Sequence, residues 1–175
     1  MAYEIRTFGD PVLKTKAAAI TEIDGKIARL IDEMFDTLYS SDSGIGLAAP
    51  QIGVQKQIFV WEVDDEEMVI INPEIVESSG ELLFDEGCLS LPGLYAEILR
   101  PKDVLMRGLD IDGNVIELEA TDLMGRLFQH EIDHLHGMLM FDRMSPDQRK
   151  EALAEYSRIT SNQTPTRAPR RLKLK

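Results

Sequence analysis

Apolar residues recur at Ile27, Leu30, Ile31, Met34 and Leu38, three and four apart, with Asp24 where a helix N-cap belongs. The spacing predicts an amphipathic helix over residues 24–39. "SSDSGIG" breaks it. Four strand-like runs follow, "QIFVWEV", "MVIINPEIVE", "VLMRGLDI" and "NVIELEA", the last two flanking Asp112-Gly113, a hairpin signal. The helical period returns over residues 122–136 and is closed by Gly137 in the C′ role. Ser145-Pro146-Asp147-Gln148 reads as a capping box with proline at N1, opening a third helix. Beyond Ile159, "TSNQTPTRAPRRLKLK" has no apolar periodicity and is expected to be loose. These elements describe one α+β domain, residues 1–160, with antiparallel sheets around a central helix, and a flexible basic tail over 161–175.

Composition narrows the class. The chain has 175 residues, enough for one domain with a real core, and its 43% hydrophobic and 29% charged content is ordinary for a globular protein. No apolar run reaches the ~18–20 residues a membrane helix needs. The amino terminus lacks the basic-then-apolar layout of a signal peptide. A lone cysteine, Cys88, excludes an intrachain disulfide framework, so a cytoplasmic location is expected. The net charge of −12 argues against a DNA binder or a general nucleic-acid binder. That charge is unevenly spread: residues 167–175 hold five Lys and Arg and no acid, leaving 14 cationic against 31 acidic side chains in residues 1–166.

All three histidines fall within "QHEIDHLHG", residues 129–137. His130 and His134 are one helical turn apart and share a face with Leu123 and Leu127, as two ligands of one ion require. Glu131 lies about 100° round the helix, near enough to reach water beside the ion without being a ligand. His136 faces roughly away and is read as a surface residue. Two imidazoles need a third protein ligand. A metzincin site fails because its third histidine would fall on Met140. A zinc-dependent peptidase of HExxH type could draw on Glu151 or Glu155. Cys88, in "EGCLS", is the other candidate, since Cys/His/His with one open position is an accepted catalytic donor set. "GIGLAAPQ", residues 44–51, lets a backbone approach closely but lacks dinucleotide-binding spacing.

Together, "GIGLAAPQ", "EGCLS" and "QHEIDH" stand in the order and at the gaps of the bacterial-type peptide deformylase motifs, and "RTFGDPVLKTKA" resembles that family's amino terminus. The resemblance covers about residues 3–145. It implies the family's α+β fold, with antiparallel sheets around the metal-binding helix, and a catalytic metallohydrolase domain. It implies Cys88, His130 and His134 as ligands of one divalent ion, Fe(II) in the cell, with Zn(II), Ni(II) or Co(II) able to use the same set. Glu131 would be the general acid/base, and the Gln51 amide and Leu89 N–H the oxyanion donors. Ile45, Gly46 and Gly87 would line the substrate as an added strand, with Ile45, Leu127 and Leu91 as candidates for the methionine pocket. The expected reaction is hydrolysis of the formyl group from N-formylmethionine on newly made polypeptides, releasing formate. The tail is a candidate ribosome contact; no membrane partner is expected. Related enzymes lead one to expect an acid just before Gly44 and an arginine near position 95; this chain has Ser43 and Tyr95.

Overall fold

Ile58, Phe59, Val60 and Trp61 of strand β2 (Ile58–Val63) are all buried, so that stretch reads as a continuous apolar run instead of alternating. In the computed structural model, which describes residues 1–42 and 44–163, the strand lies between two helices. Ile58 and Val60 share a core with Ile27, Leu30, Met34 and Leu38 of α1 (Gly25–Tyr39). Phe59 and Trp61 point the other way and share a core with Leu127, Phe128 and Ile132 of α2 (Asp122–Leu135). The rings of Trp61 and Phe128 meet edge-on, 5.1 Å between centroids. Each such large side chain, fully buried, contributes about 1.5–3 kcal/mol.

The sheet has five strands in the order β1 (Gly46–Ala48), β2, β3 (Glu66–Ser79), β6 (Asp103–Leu109), β7 (Val115–Thr121), each pair antiparallel. The β6–β7 hairpin turns at Asp112-Gly113 as expected, with Gly113 at φ +82°. β2 and β3 turn through Asp64 and Asp65, both at positive φ, as a two-residue hairpin loop of this kind demands. In β3 the register shifts at Asn72-Pro73, where proline has no N–H to give. Asn72 compensates by pairing its side-chain amide with both backbone groups of Ile20, at 2.8 Å each.

A second, two-stranded sheet, β4 (Leu82–Gly87) with β5 (Tyr95–Arg100), is not announced by the hydrophobic pattern. It adjoins a third core of Leu13, Leu91, Leu94, Ile98, Phe141 and Tyr156, which includes residues of α3 (Pro146–Gln163). α1 starts at its Asp24 cap, whose carboxylate accepts from the N–H groups of Lys26 and Ile27. α2 is central in the literal sense: every residue from 125 to 135 is buried. Gly137 ends it at φ +72°, with the backbone of Lys14 so close that a Cβ would stand 2.8 Å away.

Two expectations need correction. Only half of the capping box forms at α3: the Ser145 hydroxyl accepts from Gln148 N–H, but the Gln148 amide donates to the Glu97 carbonyl of β5 instead. The chain is also not loose from residue 160, because α3 continues to Gln163, where Thr160 and Ser161 donate their hydroxyls to carbonyls one turn back. The remainder of the expected tail, 164–175, and Ser43 lie outside the described residues.

Candidate active site and metal-binding cluster

Three segments meet at one cleft of about 340 Å³: residues 44–51 around β1, residues 85–95 around the end of β4, and α2. Helical spacing sets His130 one turn from His134, their rings edge-on with centroids 4.9 Å apart. Their Nε2 atoms are 3.2 Å from each other, and the Cys88 Sγ, arriving just past β4, is 3.3 Å from that of His134. All three donor atoms lie within 4.8 Å of one another. Donors bound at ~2.0–2.3 Å to one small tetrahedral ion stand roughly 3.5 Å apart, so this spacing suits such an ion. Two imidazole nitrogens facing each other can share at most one proton. A divalent cation satisfies both and the sulfur at once.

Burial, reinforced by the positive charges of His130 and Arg100, pushes His134 well below the ordinary imidazole range, so it presents a lone pair. His130 is oriented from behind: its Nδ1 is 2.7 Å from Glu86 Oε1, leaving Nε2 for the cluster. Sequence reasoning missed Glu86, although it opens "EGCLS". Burial alone would push its carboxyl up; hydrogen bonds from Arg100 and His130 outweigh that and hold it well below the usual carboxylate range. Arg100 grips Glu86 with two nitrogens, at 2.7 and 2.8 Å, and Asp133 with a third at 2.8 Å. Arg126 also pairs with Glu86 and donates to the Leu82 carbonyl. Arg143 clamps Asp133 from the other side. Glu86, Arg100, Arg126 and Asp133 are all at least 95% buried.

Glu131 sits at the cleft with its Oε1 against Gly46, where a Cβ would come within 2.9 Å of it, and its Oε2 is buried without a hydrogen-bond partner among the described residues. Burial pushes the Glu131 carboxyl up to about 7. Gln51, on the short turn after β1, accepts from Ala48 N–H through Oε1 at 2.9 Å, which leaves its NH₂ directed at Ser90 Oγ (3.2 Å) and Cys88 Sγ (3.8 Å). Ser90 is another residue that sequence reasoning passes over. Ile45, Gly46, Gly87, Leu89, Leu91 and Leu127 border the same cleft, whereas His134, 1% exposed, reaches the cluster from behind.

The expected residues are thus brought together, and those of the competing reading are not. Glu151 is exposed and Glu155 pairs with Arg158 on α3; neither belongs to the donor cluster. His136 is exposed, as anticipated.

Residues 2–150 match the family model for polypeptide deformylase. Peptide deformylase of Thermodesulfovibrio yellowstonii is 49% identical over 152 residues, covering 84% of this chain and 92% of that one. Among solved structures, a peptide deformylase from Legionella pneumophila superposes with a TM-score of 0.87 at 38% identity, over 97% of this chain and all of that one. The enzyme from Thermus thermophilus gives 0.84 at 40% identity, over 93% and 99%. With the motifs, the fold and the donor cluster in agreement, the chain belongs to the polypeptide deformylase family.

Proposed function

We propose that this chain removes the formyl group from N-formylmethionine at the amino terminus of newly made polypeptides, releasing formate and a free amine. The convergence of Cys88, His130 and His134 beside the Glu131 carboxylate carries this reading. Those three residues would hold one divalent ion, which when bound supplies a Lewis acid able to bring the pKa of water down to about 7. Fe(II) is the proposed resident; Zn(II), Ni(II) and Co(II) suit the same donors, and intrinsic affinity favours nickel and zinc.

The chain's own groups do the rest. Glu131, held near neutrality by burial, accepts a proton from the attacking water and returns it to the departing amine. The Gln51 NH₂ and the Leu89 N–H donate to the formyl oxygen as negative charge develops there, and loss of one such donor costs roughly 3–4 kcal/mol. β1 and β4 are end strands of their sheets, and both border the cleft, so the substrate backbone can add as a strand along Ile45, Gly46 and Gly87. Methionine enters among Ile45, Leu91 and Leu127. Formate release from formyl-Met-Ala-Ser, set against cleavage of an internal bond in an unformylated peptide, tests the reading; cleavage of the second alone would overturn it.

We further propose that the enzyme works in the cytoplasm on chains leaving the ribosome, with the basic residues of 161–175 meeting RNA phosphates. Five cations on a segment following a strongly acidic body support this. Truncating residues 164–175 should cut co-sedimentation with ribosomes at low salt without changing turnover of a short formyl peptide. No helix among the described residues is long and apolar enough to cross a membrane.

A further inference from the structure

The two groups assigned to the formyl oxygen, the Gln51 NH₂ and the Leu89 N–H, come from widely separated parts of the chain. Leu89 is the second residue of a turn closed by Leu91 N–H donating to the Cys88 carbonyl at 2.9 Å, and its own N–H has no acceptor among the described residues. The closing bond does not use the Ser90 carbonyl, which accepts from Phe8 N–H at 2.9 Å. The Gln51 carbonyl is held in the same way, by Arg6 N–H at 2.7 Å. Arg6 and Phe8 are alternate residues, and alternate N–H groups of an extended chain turn to one edge.

These bonds close a circuit. The Gln51 NH₂ donates to Ser90 Oγ at 3.2 Å, so side chains join the two residues whose carbonyls the amino-terminal segment holds. Both Gln51 and Ser90 are buried. The segment is itself fastened at each end. Tyr3 donates its N–H to Thr37 Oγ1 and its hydroxyl to Glu33, both on α1, at 2.8 and 2.9 Å. The Phe8 ring meets Phe141 and Tyr156 edge-on, with centroids 5.1 and 5.7 Å apart. No residue from 3 to 9 borders the cleft, so the segment reaches the reaction only through the residues it holds.

We propose that residues 3–8 are a strap that positions the two oxyanion donors, with the backbone N–H groups of Arg6 and Phe8 as its positioning groups. This rests on the deformylase reading above and on Gln51 and Leu89 as the donors. A donor stabilises developing charge only when it stands about 2.7–3.1 Å from the oxygen, and a misplacement of about 1 Å costs roughly 10²-fold. Leu89 is fixed to the donor cluster by being next to Cys88. Gln51 reaches Cys88 Sγ only at 3.8 Å, so its place depends on Ala48, Ser90 and the strap. One short run of backbone bonded to both segments gives the donors a common frame.

Each N–H is removed singly, in the full chain, by exchanging the residue for its α-hydroxy acid, which turns the amide into an ester and keeps the side chain. The exchange is made at Arg6, at Phe8 and at Thr7, whose N–H has no acceptor among the described residues. Turnover of formyl-Met-Ala-Ser is read as kcat per active site, with sites counted by metal content and by titration with a metal-chelating peptide hydroxamate. The exchanges at Arg6 and Phe8 should each lower kcat about tenfold and change KM less than about twofold, because the donors act on the transition state. The exchange at Thr7 should stay within about twofold of the unmodified chain. Combined with Gln51→Ala, the Arg6 exchange should cost less than about twofold, since no amide is left to position, whereas independent losses multiply. Equal kcat per site for all three exchanges would overturn the strap, as would multiplying losses at Arg6 and Gln51. No turnover by the unmodified chain would instead overturn the deformylase reading itself.

Discussion

His130 Nδ1 stands 2.7 Å from Glu86 Oε1 inside the protein, and this contact decides which nitrogen of His130 faces Cys88 and His134. It joins the donor cluster to a buried ionic network that spans β4, β5 and α2 and reaches Arg143 beyond α2. Orientation of the cluster and stability of the fold are therefore carried by the same side chain.

Glu86→Ala should destabilise the protein by about 3–5 kcal/mol, because Arg100 and Arg126 lose a buried counter-charge. Glu86→Gln should fold better and lower metal affinity about 10–100-fold through its weaker hold on His130. Denaturant unfolding and metal titration on both variants separate the two effects. Since the folded-state pKa of Glu86 is depressed, its contribution is fully present above the ordinary carboxylate range and is lost as pH falls from there through the lower folded-state pKa. The acid limb of stability should accordingly flatten in Glu86→Gln.

Glu131→Ala should retain the ion and lose turnover by about 10²–10⁴, the usual worth of a general acid/base. Metal content measured beside formate release decides it, and a metal-free variant would sink the assignment. The raised pKa of Glu131 has the opposite sign to that of Glu86. In chelator-treated protein its favourable contribution holds below the ordinary value of 4.5 and is lost as pH rises through about 7. Glu131→Gln should remove that slope from the stability profile.

Cys88→Ala should weaken metal retention, whereas Glu151→Ala and Glu155→Ala should leave metal and activity intact. Cys88 Sγ is 3.3 Å from His134 Nε2, while the two glutamates sit on α3 outside the cluster. Loss of the ion from a glutamate variant, with Cys88→Ala still loaded, would reverse the ligand assignment.

Gly46→Ala should fold with a cost of about 1–3 kcal/mol and lose at least tenfold in kcat. The added methyl would meet Leu127 Cδ1 at 2.8 Å and Glu131 Oε1 at 2.9 Å, so either the strand or the carboxylate must shift. Thermal unfolding and formate release together check this; unchanged kcat would show that Glu131 has room the structure does not indicate.

Local periodicity makes much of the protein legible in its sequence. Asp24, Gly137 and Ser145 mark helix ends by chemistry confined to one turn, and the HExxH spacing places His130 over His134 by helix geometry alone. The apolar strands declare themselves through the side chains they bury. β4 and β5 do not, because their inward face carries Glu86 and Arg100 where a half-buried strand usually carries apolar residues. A buried glutamate looks like a surface residue until its partners are known, and those partners come from β5 and α2, at positions 100, 126 and 130. The same holds for Gln51, whose amide is aimed by Ala48 and Ser90, and for the ring of Tyr95 lying on Gly87. Residue type and spacing determined which groups could do the chemistry. Tertiary packing decided how they point, because the low-dielectric interior makes every buried charge depend on a partner supplied by another part of the chain.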